Sequence, residues 1–443
     1  MSKDKKTKNE AATSGVSEAL KSLSGFIQKG ARTGDVEKIP TGYFNLDFAI
    51  NFGTLPEDFE VYGSKHKVYD PKKPVGIPCG RLVHLYGAEG SGKSYLCYRM
   101  AGFAQRMGHK VAWIDTEQSF SEDLAIINGV DIDELLYSDL HNLEDPDKIY
   151  YAEDVMDGIV NLVKSGVKLV ILDSVANLVP KARMEAEAEQ QYVALLARLL
   201  SENLGRIVQW AGAKDAVVVF INQLREKPGM MFGNPITTKG GRMLNHNSSL
   251  SMEVSKCPKN DSPWIFVEDD RVPGGKRLIG RNSKIRFDKN RFSKPFVDQK
   301  GNPMSVSIPI YYEPYFPNIE EILFDTGRQQ QIIKVRTEIY KWIDSITGTE
   351  YKAEGKDAFL NLIRDDIEMR KALLADLKKN AEENGNPLPP EIIQYDPDVV
   401  IKRVEATEED IEEAEKISEK KGKKKSKMNL SEEIEDLDKT LEV

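Results

Sequence analysis

The sequence predicts an α/β protein: a central, mostly parallel sheet, preceded by an N-terminal helix and followed by a small C-terminal α+β domain. Two observations carry that prediction. The first is Gly87-Ala-Glu-Gly-Ser-Gly-Lys-Ser94, a glycine-rich loop set between the apolar run Arg81–Tyr86 and a helix-like stretch from Tyr95 onward. The second is a series of continuous apolar runs, Arg81–Tyr86, Lys110–Asp115, Lys168–Asp173 and Ala216–Asn222. Helical stretches separate them at Ser94–Met107, Tyr151–Ser165 and Gln190–Trp210. Unbroken apolar strands are those covered on both faces, and a repeating β–α unit implies parallel pairing. The later runs Leu250–Val254, Ser283–Phe287 and Met304–Tyr311 read as an antiparallel extension.

The flanks follow from patterning. Residues up to about Asn9 are polar and read as disordered. Val16–Gly30 then sets Leu20, Leu23 and Ile27 on one helical face, a stripe that a short helix buries only against the body or a neighbouring subunit. The organisation expected is a flexible N-terminus and docking helix over 1–37, an α/β core over 38–324, a small domain over 325–400 and a charged tail over 401–443. A Pro-, Gly- and Lys-rich stretch near 55–78 reads as an insertion before the strand that leads into the glycine-rich loop. Between Asp325 and Tyr395, apolar positions including Ile332, Ile333, Ile339, Trp342, Ile343, Phe359 and Ile363 recur at helical spacing.

Composition bounds the class. Of 443 residues, 40% are hydrophobic and 30% charged, enough for a core and a polar surface. No apolar run is long enough to cross a bilayer, and the opening Met-Ser-Lys-Asp-Lys-Lys lacks the apolar core of a signal peptide, so the expectation is a cytoplasmic protein without a membrane partner. Three scattered cysteines without C-x-x-C spacing fit a reducing compartment and exclude a zinc-ribbon site. The net charge of −9 is uneven: Glu405–Val443 holds 14 acidic and 8 basic residues, the remainder 57 and 54. A basic groove for nucleic acid is therefore compatible with the total.

The glycine-rich loop has a specific chemistry. Its glycines let the backbone curl so that N–H groups cradle phosphate oxygens, and the helix that follows adds its positive end. Gly87, Ala88, Glu89, Gly90, Ser91, Gly92, Lys93, Ser94 and Tyr95 form the expected nucleotide cradle, for ATP or GTP. Within it, Lys93 reaches the β- and γ-phosphates and Ser94 is a Mg²⁺ ligand. Leu169-Val-Ile-Leu-Asp173 closes an apolar strand on a carboxylate that would hold Mg²⁺ with Ser94. Ala112-Trp-Ile-Asp115-Thr-Glu117 ends a second such strand; Glu117 is the expected general base and Asp115 a cap or structural acceptor. Val217-Val-Val-Phe-Ile-Asn-Gln223 ends in amides. Gln223 is positioned either to sense the γ-phosphate or to be a buried, satisfied side chain. Beyond it, Leu224–Arg242 mixes Arg225, Lys227, Lys239 and Arg242 with the apolar tip Met230, Met231 and Phe232. Cations for phosphates and an apolar wedge for bases suit nucleic acid; the alternative is an ordinary charged surface loop.

At these residues the chain resembles the RecA family of recombinases, over Ile39 to about Asp366. The resemblance rests on the phosphate loop and on Ile39–Ala49, Asp173-Ser-Val-Ala-Asn-Leu-Val-Pro-Lys-Ala182, Phe220-Ile-Asn-Gln-Leu-Arg225 and Met231-Phe-Gly-Asn-Pro-Ile-Thr-Thr-Lys-Gly-Gly241. It implies a RecA-like P-loop ATPase core, with ATP bound between the subunits of a homo-oligomeric helical filament on single-stranded DNA. Pairing and strand exchange with double-stranded DNA, DNA-dependent ATP hydrolysis, and single-stranded DNA-binding and loading proteins as partners are implied with it. Arg183–Arg198 and Glu226–Arg242 would be DNA-binding loops. Val193 and Pro228 would wedge between bases, Arg198 and Arg206 would contact the backbone, and Gly240 and Gly241 belong to the second loop. Lys289 and Arg291 would reach the neighbouring subunit's γ-phosphate.

There are departures. The family's adenine-contacting aspartate and tyrosine are replaced at Ser121 and Leu124, where Phe120, Glu122 or Asp123 would have to compensate. Asn245-His246 replaces an interface lysine and phenylalanine, and His246 reads as a packed interface residue. Lys289-Asn-Arg-Phe292 is similar also to bacterial RadA, whose zinc-binding cysteines this chain lacks. The divergence and the insertion suit a phage-encoded protein, acting in the host cytoplasm.

Two alternatives stand beside the recombinase. A RecA-core hexameric DNA helicase would form rings, and a filament protein holding ATP as a structural clamp would not hydrolyse it. The acidic segments Glu405–Glu415 and Glu432–Glu442 read either as a competitor for duplex DNA or as a solubilising tail.

Overall fold

A computed structural model describes residues 36–56, 75–141, 145, 148–182, 189–226, 236–238, 243–258, 261, 263–268, 275–298, 300–313, 319–336, 338–384, 388–389, 392–393 and 403–404. The chain divides into Met1–Glu37 and Lys38–Val443, and all the described strands and helices belong to the second unit. The expected docking helix, most of the insertion and the acidic tail lie outside the described residues.

The strands of the main sheet are β3 (Arg81–Gly87), β4 (Val111–Asp115), β5 (Leu135–Ser138), β6 (Leu169–Asp173), β7 (Val217–Glu226), β9 (Leu250–Lys256), β10 (Trp264–Glu268), β11 (Lys276–Asn290), β12 (Ser305–Tyr311) and β16 (Arg403–Val404). They are ordered β16-β10-β11-β9-β3-β7-β6-β4-β5, with β12 on β11 and the short β8 (Ile236–Thr238) on β7. From β9 to β5 every neighbour is parallel; β10, β11 and β12 run antiparallel. This corrects one expectation. Leu250–Val254 reads in sequence as part of the antiparallel extension, yet β9 pairs parallel to β3 and only its other edge, on β11, is antiparallel.

Helices cover both faces, which explains why the central strands are unbroken apolar runs. On one face α4 (Ala152–Lys164) and α5 (Glu189–Lys214) pack on Leu82, Ile114, Val170, Leu172, Val218 and Phe220. The stripe Val155, Met156, Ile159, Val160 and Val163 makes α4 helical and buries it. The Asp154 carboxylate fixes its start by accepting the Tyr151 N–H at 2.9 Å. The opposite face carries α2 (Lys93–Arg106), which packs on β3, β4 and β6. The remaining core helices are α1 (Phe44–Phe52), α3 (Glu122–Ile127) and α6 (Met243–Asn247). A small pair, β1 (Lys38–Ile39) and β2 (Ile77–Pro78), precedes β3.

The C-terminal segment builds a second apolar cluster around Phe324, Trp342, Phe359 and Leu373. It is made by α7 (Ile319–Gln329), α8 (Lys356–Asp365), α9 (Ile367–Asn384) and a sheet of β13 (Lys334–Arg336), β14 (Ile339–Ile343) and β15 (Glu350–Glu354). The helical spacing read through Ile339, Trp342 and Ile343 is therefore overturned: these residues lie on β14, paired antiparallel with β15. Phe359 and Ile363 are helical, on α8.

Candidate active site

The register of the sheet assembles the site. Gly87 of β3 lies beside Gln223 of β7, and Asp115 of β4 beside Asp173 of β6. These positions stand at the carboxyl ends of parallel strands, where the crevice of such sheets opens. The phosphate loop leaves β3 there and enters α2 at Gly92. Gly90 and Gly92 take φ of 62° and 104°, a backbone region that favours glycine. Space forbids a side chain at Gly92 as well: an added Cβ would lie 2.1 Å from Cδ1 of Ile310. At Gly87 it would lie 2.0 Å from the Val254 carbonyl oxygen.

Lys93 curls back over the loop. Its Nζ donates to the carbonyls of Ala88 at 2.9 Å and Gly87 at 3.2 Å. Burial lowers its pKa, and the charges of Asp173, Glu117 and Glu89 oppose that shift. The Ser94 hydroxyl donates to Asp173 at 2.6 Å. Burial, helped by Glu117 and Asp115, pushes the Asp173 carboxyl up to about 7, against the Ser94 hydrogen bond and Lys93. The residues fit a nucleotide with Mg²⁺. Among the described residues the buried Ser91 hydroxyl has no partner, Lys93 is a buried cation, and Ser94–Asp173 is a hydroxyl–carboxylate pair suited to a hard ion.

Two loops are zipped together to present Glu117. Thr116 N–H donates to the Asp173 carbonyl at 2.7 Å, its hydroxyl to the Ser174 carbonyl at 2.7 Å, and Ser174 N–H returns a bond to Thr116 Oγ1 at 2.9 Å. Asp115 acts as the expected structural acceptor, taking the N–H groups of Glu117, Ser119 and Phe120 at 2.8–2.9 Å. Glu117 Oε1 then accepts from Gln223 Nε2 at 2.8 Å and from the Ser174 hydroxyl. Beyond Gln223, β7 continues as a ribbon, with Leu224, Arg225 and Glu226 paired to β8.

The structure thus gathers Lys93, Ser94, Glu117, Asp173 and Gln223, and leaves others elsewhere. The Tyr95 ring is buried and its hydroxyl accepts the Tyr311 N–H at 3.1 Å, leaving only its backbone for the cradle. Lys289 pairs with Ser251, which pairs with His84, and Arg291 N–H donates to Ser249, whose own N–H donates to Leu82. Both cations therefore sit near the start of β3, roughly 10–17 Å along the strand direction from Gly87 at about 3.3 Å per residue. Neither is presented to the loop of its own chain at that level. Lys289 instead donates to the carbonyls of Asn245 at 2.6 Å and His246 at 2.8 Å.

Arg198 and Arg206 are exposed on α5, paired with Glu202 and Asp157. The side chains of Val193 and Arg225 lie outside the described residues, as do Lys227, Pro228, Met231, Phe232, Lys239, Gly240, Gly241 and Arg242. Ser121 caps α3 by accepting the Leu124 N–H at 3.3 Å, and the Phe120 ring packs edge-on against Tyr98 and Trp113. Sequence reasoning missed Ser174 and Thr116, although both adjoin residues it found. It also missed Arg281 and Ser283 of β11. They donate to the carbonyls of Gly90 and Ser91 from 191 and 192 residues away, a separation with no local signal.

Comparison with known proteins supplies the lineage. The family model of the RecA N-terminal domain matches residues 73–306. Protein RecA of Fusobacterium nucleatum subsp. nucleatum is 32% identical over 384 residues, 86% of each chain. Protein RecA of Caldanaerobacter subterraneus subsp. tengcongensis is 35% identical over 63% of this chain and 71% of its own. Protein RecA of Clostridioides difficile is 29% identical over 85% of this chain and 97% of its own. All three are named Protein RecA, and none of them favours a helicase. Among the described residues no helix is long and apolar enough to cross a membrane. The chain belongs to the RecA family, the DNA-binding, filament-forming ATPases of homologous recombination and repair.

Proposed function

We propose that this protein coats single-stranded DNA as a helical filament, closes each ATP between two subunits, and pairs the bound strand with homologous duplex. The observation that supports this most is the 2.8 Å bond from Gln223 to Glu117. It ties the end of β7, which runs on into the second DNA-loop segment, to the carboxylate best placed to activate water. In this arrangement Glu117 Oε1 is engaged by Gln223 and Ser174. If Gln223 turns to the γ-phosphate when DNA orders the loop, Glu117 is freed to take a proton from the attacking water. Lys93 offsets charge on the β- and γ-phosphates, and Lys289 and Arg291 of the adjacent subunit do so in trans. Ser94 and Asp173 would hold Mg²⁺, which when bound neutralises phosphate charge.

The DNA contacts proposed are Val193, Arg198, Arg206, Arg225, Lys227, Pro228, Met231, Phe232, Lys239, Gly240, Gly241 and Arg242. The working division is a subunit-docking segment over 1–37, a core over 38–324, a small domain over 325–400 and a charged tail over 401–443. Single-stranded DNA-binding and loading proteins are its proposed partners. Its place is the cytoplasm, the host's if the gene is a phage's.

ATP hydrolysis with and without single-stranded DNA, for the wild type and Glu117→Gln, with negative-stain imaging of each, tests the reading. The expected result is DNA-stimulated turnover that the substitution abolishes while filaments persist. Closed rings would argue for a helicase, and filaments without turnover for a structural clamp.

A further inference from the structure

Strand β11 presses on the outer side of the phosphate loop with two side chains two residues apart, hence on one face of the strand. The Arg281 guanidinium donates to the Gly90 carbonyl, and the Ser283 hydroxyl donates to the Ser91 carbonyl at 2.8 Å. In a trans peptide the carbonyl and the following N–H point in opposite directions. Holding these two carbonyls toward β11 therefore aims the N–H groups of Ser91 and Gly92 away from it, toward the cradle side. In this structure Ser91 N–H makes a 3.2 Å turn bond to the Ala88 carbonyl, a long bond that a phosphate oxygen can replace. Ile310, directly opposite Arg281 in the β11–β12 register, fills the space at Gly92 and keeps the loop from sliding.

Arg281 is also a buried cation. It is 9% exposed, and its partners among the described residues are the Gly90 carbonyl and the Tyr312 hydroxyl, with no carboxylate. Burial lowers its pKa, with Tyr312 opposing. A desolvated cation without a counter-charge is costly in a folded chain unless something supplies the anion.

We propose that Arg281, with Ser283, is a positioning residue for nucleotide binding: it fixes the Gly90–Gly92 peptides with their N–H groups toward the phosphates, and the bound polyphosphate supplies the charge that its guanidinium lacks. This rests on the nucleotide-site reading of the loop and adds residues which the loop motif does not contain.

The test uses the full chain. Arg281→Met keeps the length and removes the charge; Arg281→Lys restores the charge without the fork. Two quantities are measured: KM and kcat for ATP with single-stranded DNA, and Tm with and without ADP. The expected result for Arg281→Met is a KM about tenfold higher with kcat within about twofold, the pattern of lost ground-state binding. Its Tm without nucleotide should equal or exceed that of the wild type, with a smaller rise on adding ADP. Arg281→Lys should recover part of the KM. Ser283→Ala should raise KM about threefold, and it carries the test alone if Arg281→Met does not fold.

A lowered Tm without nucleotide, together with an unchanged KM and an unchanged ADP shift, would make Arg281 merely structural and overturn the proposal. If the wild type itself shows no DNA-stimulated turnover, the recombinase reading fails. The ADP-induced Tm shift then still decides the proposal, since it needs neither DNA nor hydrolysis.

Discussion

At the scale of single residues, the site depends on who holds Glu117. Gln223 and Ser174 share its Oε1, so removing Gln223 cuts the link between β7 and the carboxylate without touching the phosphate loop. Gln223→Ala should leave DNA-independent hydrolysis within about twofold of wild type while stimulation by single-stranded DNA falls at least tenfold. A DNA titration of turnover measures both, and retained stimulation would show that coupling bypasses this amide. Lys93, Ser94, Glu117, Asp173 and Gln223 were legible because each ends an apolar strand or sits in a contiguous motif. Ser174, Arg281 and Ser283 were not, since their roles arise from contacts made only after the sheet has closed.

Asp47 offers a separate test of the core. Both its oxygens accept the Thr41 N–H, at 2.9 and 3.1 Å, yet burial pushes its pKa up to about 8 against those bonds and the Arg99 charge. A raised carboxyl pKa means that the folded chain holds a proton which the unfolded chain has released between pH 4 and 8. Stability from this group is therefore full below about pH 4 and is lost as pH rises through 8, at up to about 1.4 kcal/mol per pH unit. His84, held neutral by burial, acts in the opposite sense, costing stability as pH falls below its ordinary value of 6.5. Comparing Tm of wild type and Asp47→Asn between pH 6.5 and 8.5 isolates Asp47. The wild type should lose stability relative to the variant across that range; parallel curves would contradict it.

Among the elements, β11 and β12 decide whether the phosphate loop keeps its shape. Gly92 has two reasons to be glycine, a φ of 104° and the Ile310 side chain where a Cβ would go. Gly92→Ala should therefore cost about 2–4 kcal/mol in urea unfolding, combining backbone strain with overpacking. Adding Ile310→Ala should return only the packing share, because the backbone strain is untouched. Full recovery would mean that the strain is negligible.

Elements were readable in the sequence where periodicity was long. The four central strands and α2, α4 and α5 lie within a few residues of their expected bounds. The failures share a cause. Ile339, Trp342 and Ile343 satisfy a helical spacing by chance in a segment too short to distinguish periods of 2 and 3.6, and β14 won by pairing with β15. The direction of β9 is not local information at all, because a strand's neighbour is chosen by the whole sheet.

For the whole molecule, the decisive geometry lies along one strand. Toward its start β11 braces its own phosphate loop through Arg281 and Ser283. At its far end Lys289, past a register shift between Phe287 and Lys289, rests on the carbonyls of α6, with Arg291 just beyond. Those cations stand at the level of Leu82–His84, away from the loop at Gly87, so a role at phosphate must be met in another subunit. A head-to-tail assembly supplies that subunit, since each interface joins two different faces of identical chains. Glu117→Gln leaves the donating face intact, and Lys289→Ala with Arg291→Ala leaves the accepting face intact. Each variant alone should be inactive. Mixed in equal amounts before DNA is added, they should form roughly one competent interface in four, in which the accepting chain keeps Glu117 and the donating chain keeps both cations. Turnover should then recover to about a quarter of the wild-type rate per chain, against none for either variant, while the same mixture combined after separate filament formation stays inactive. If the mixture is as inactive as its parts, although imaging shows co-filaments, the two cations do not act across the interface.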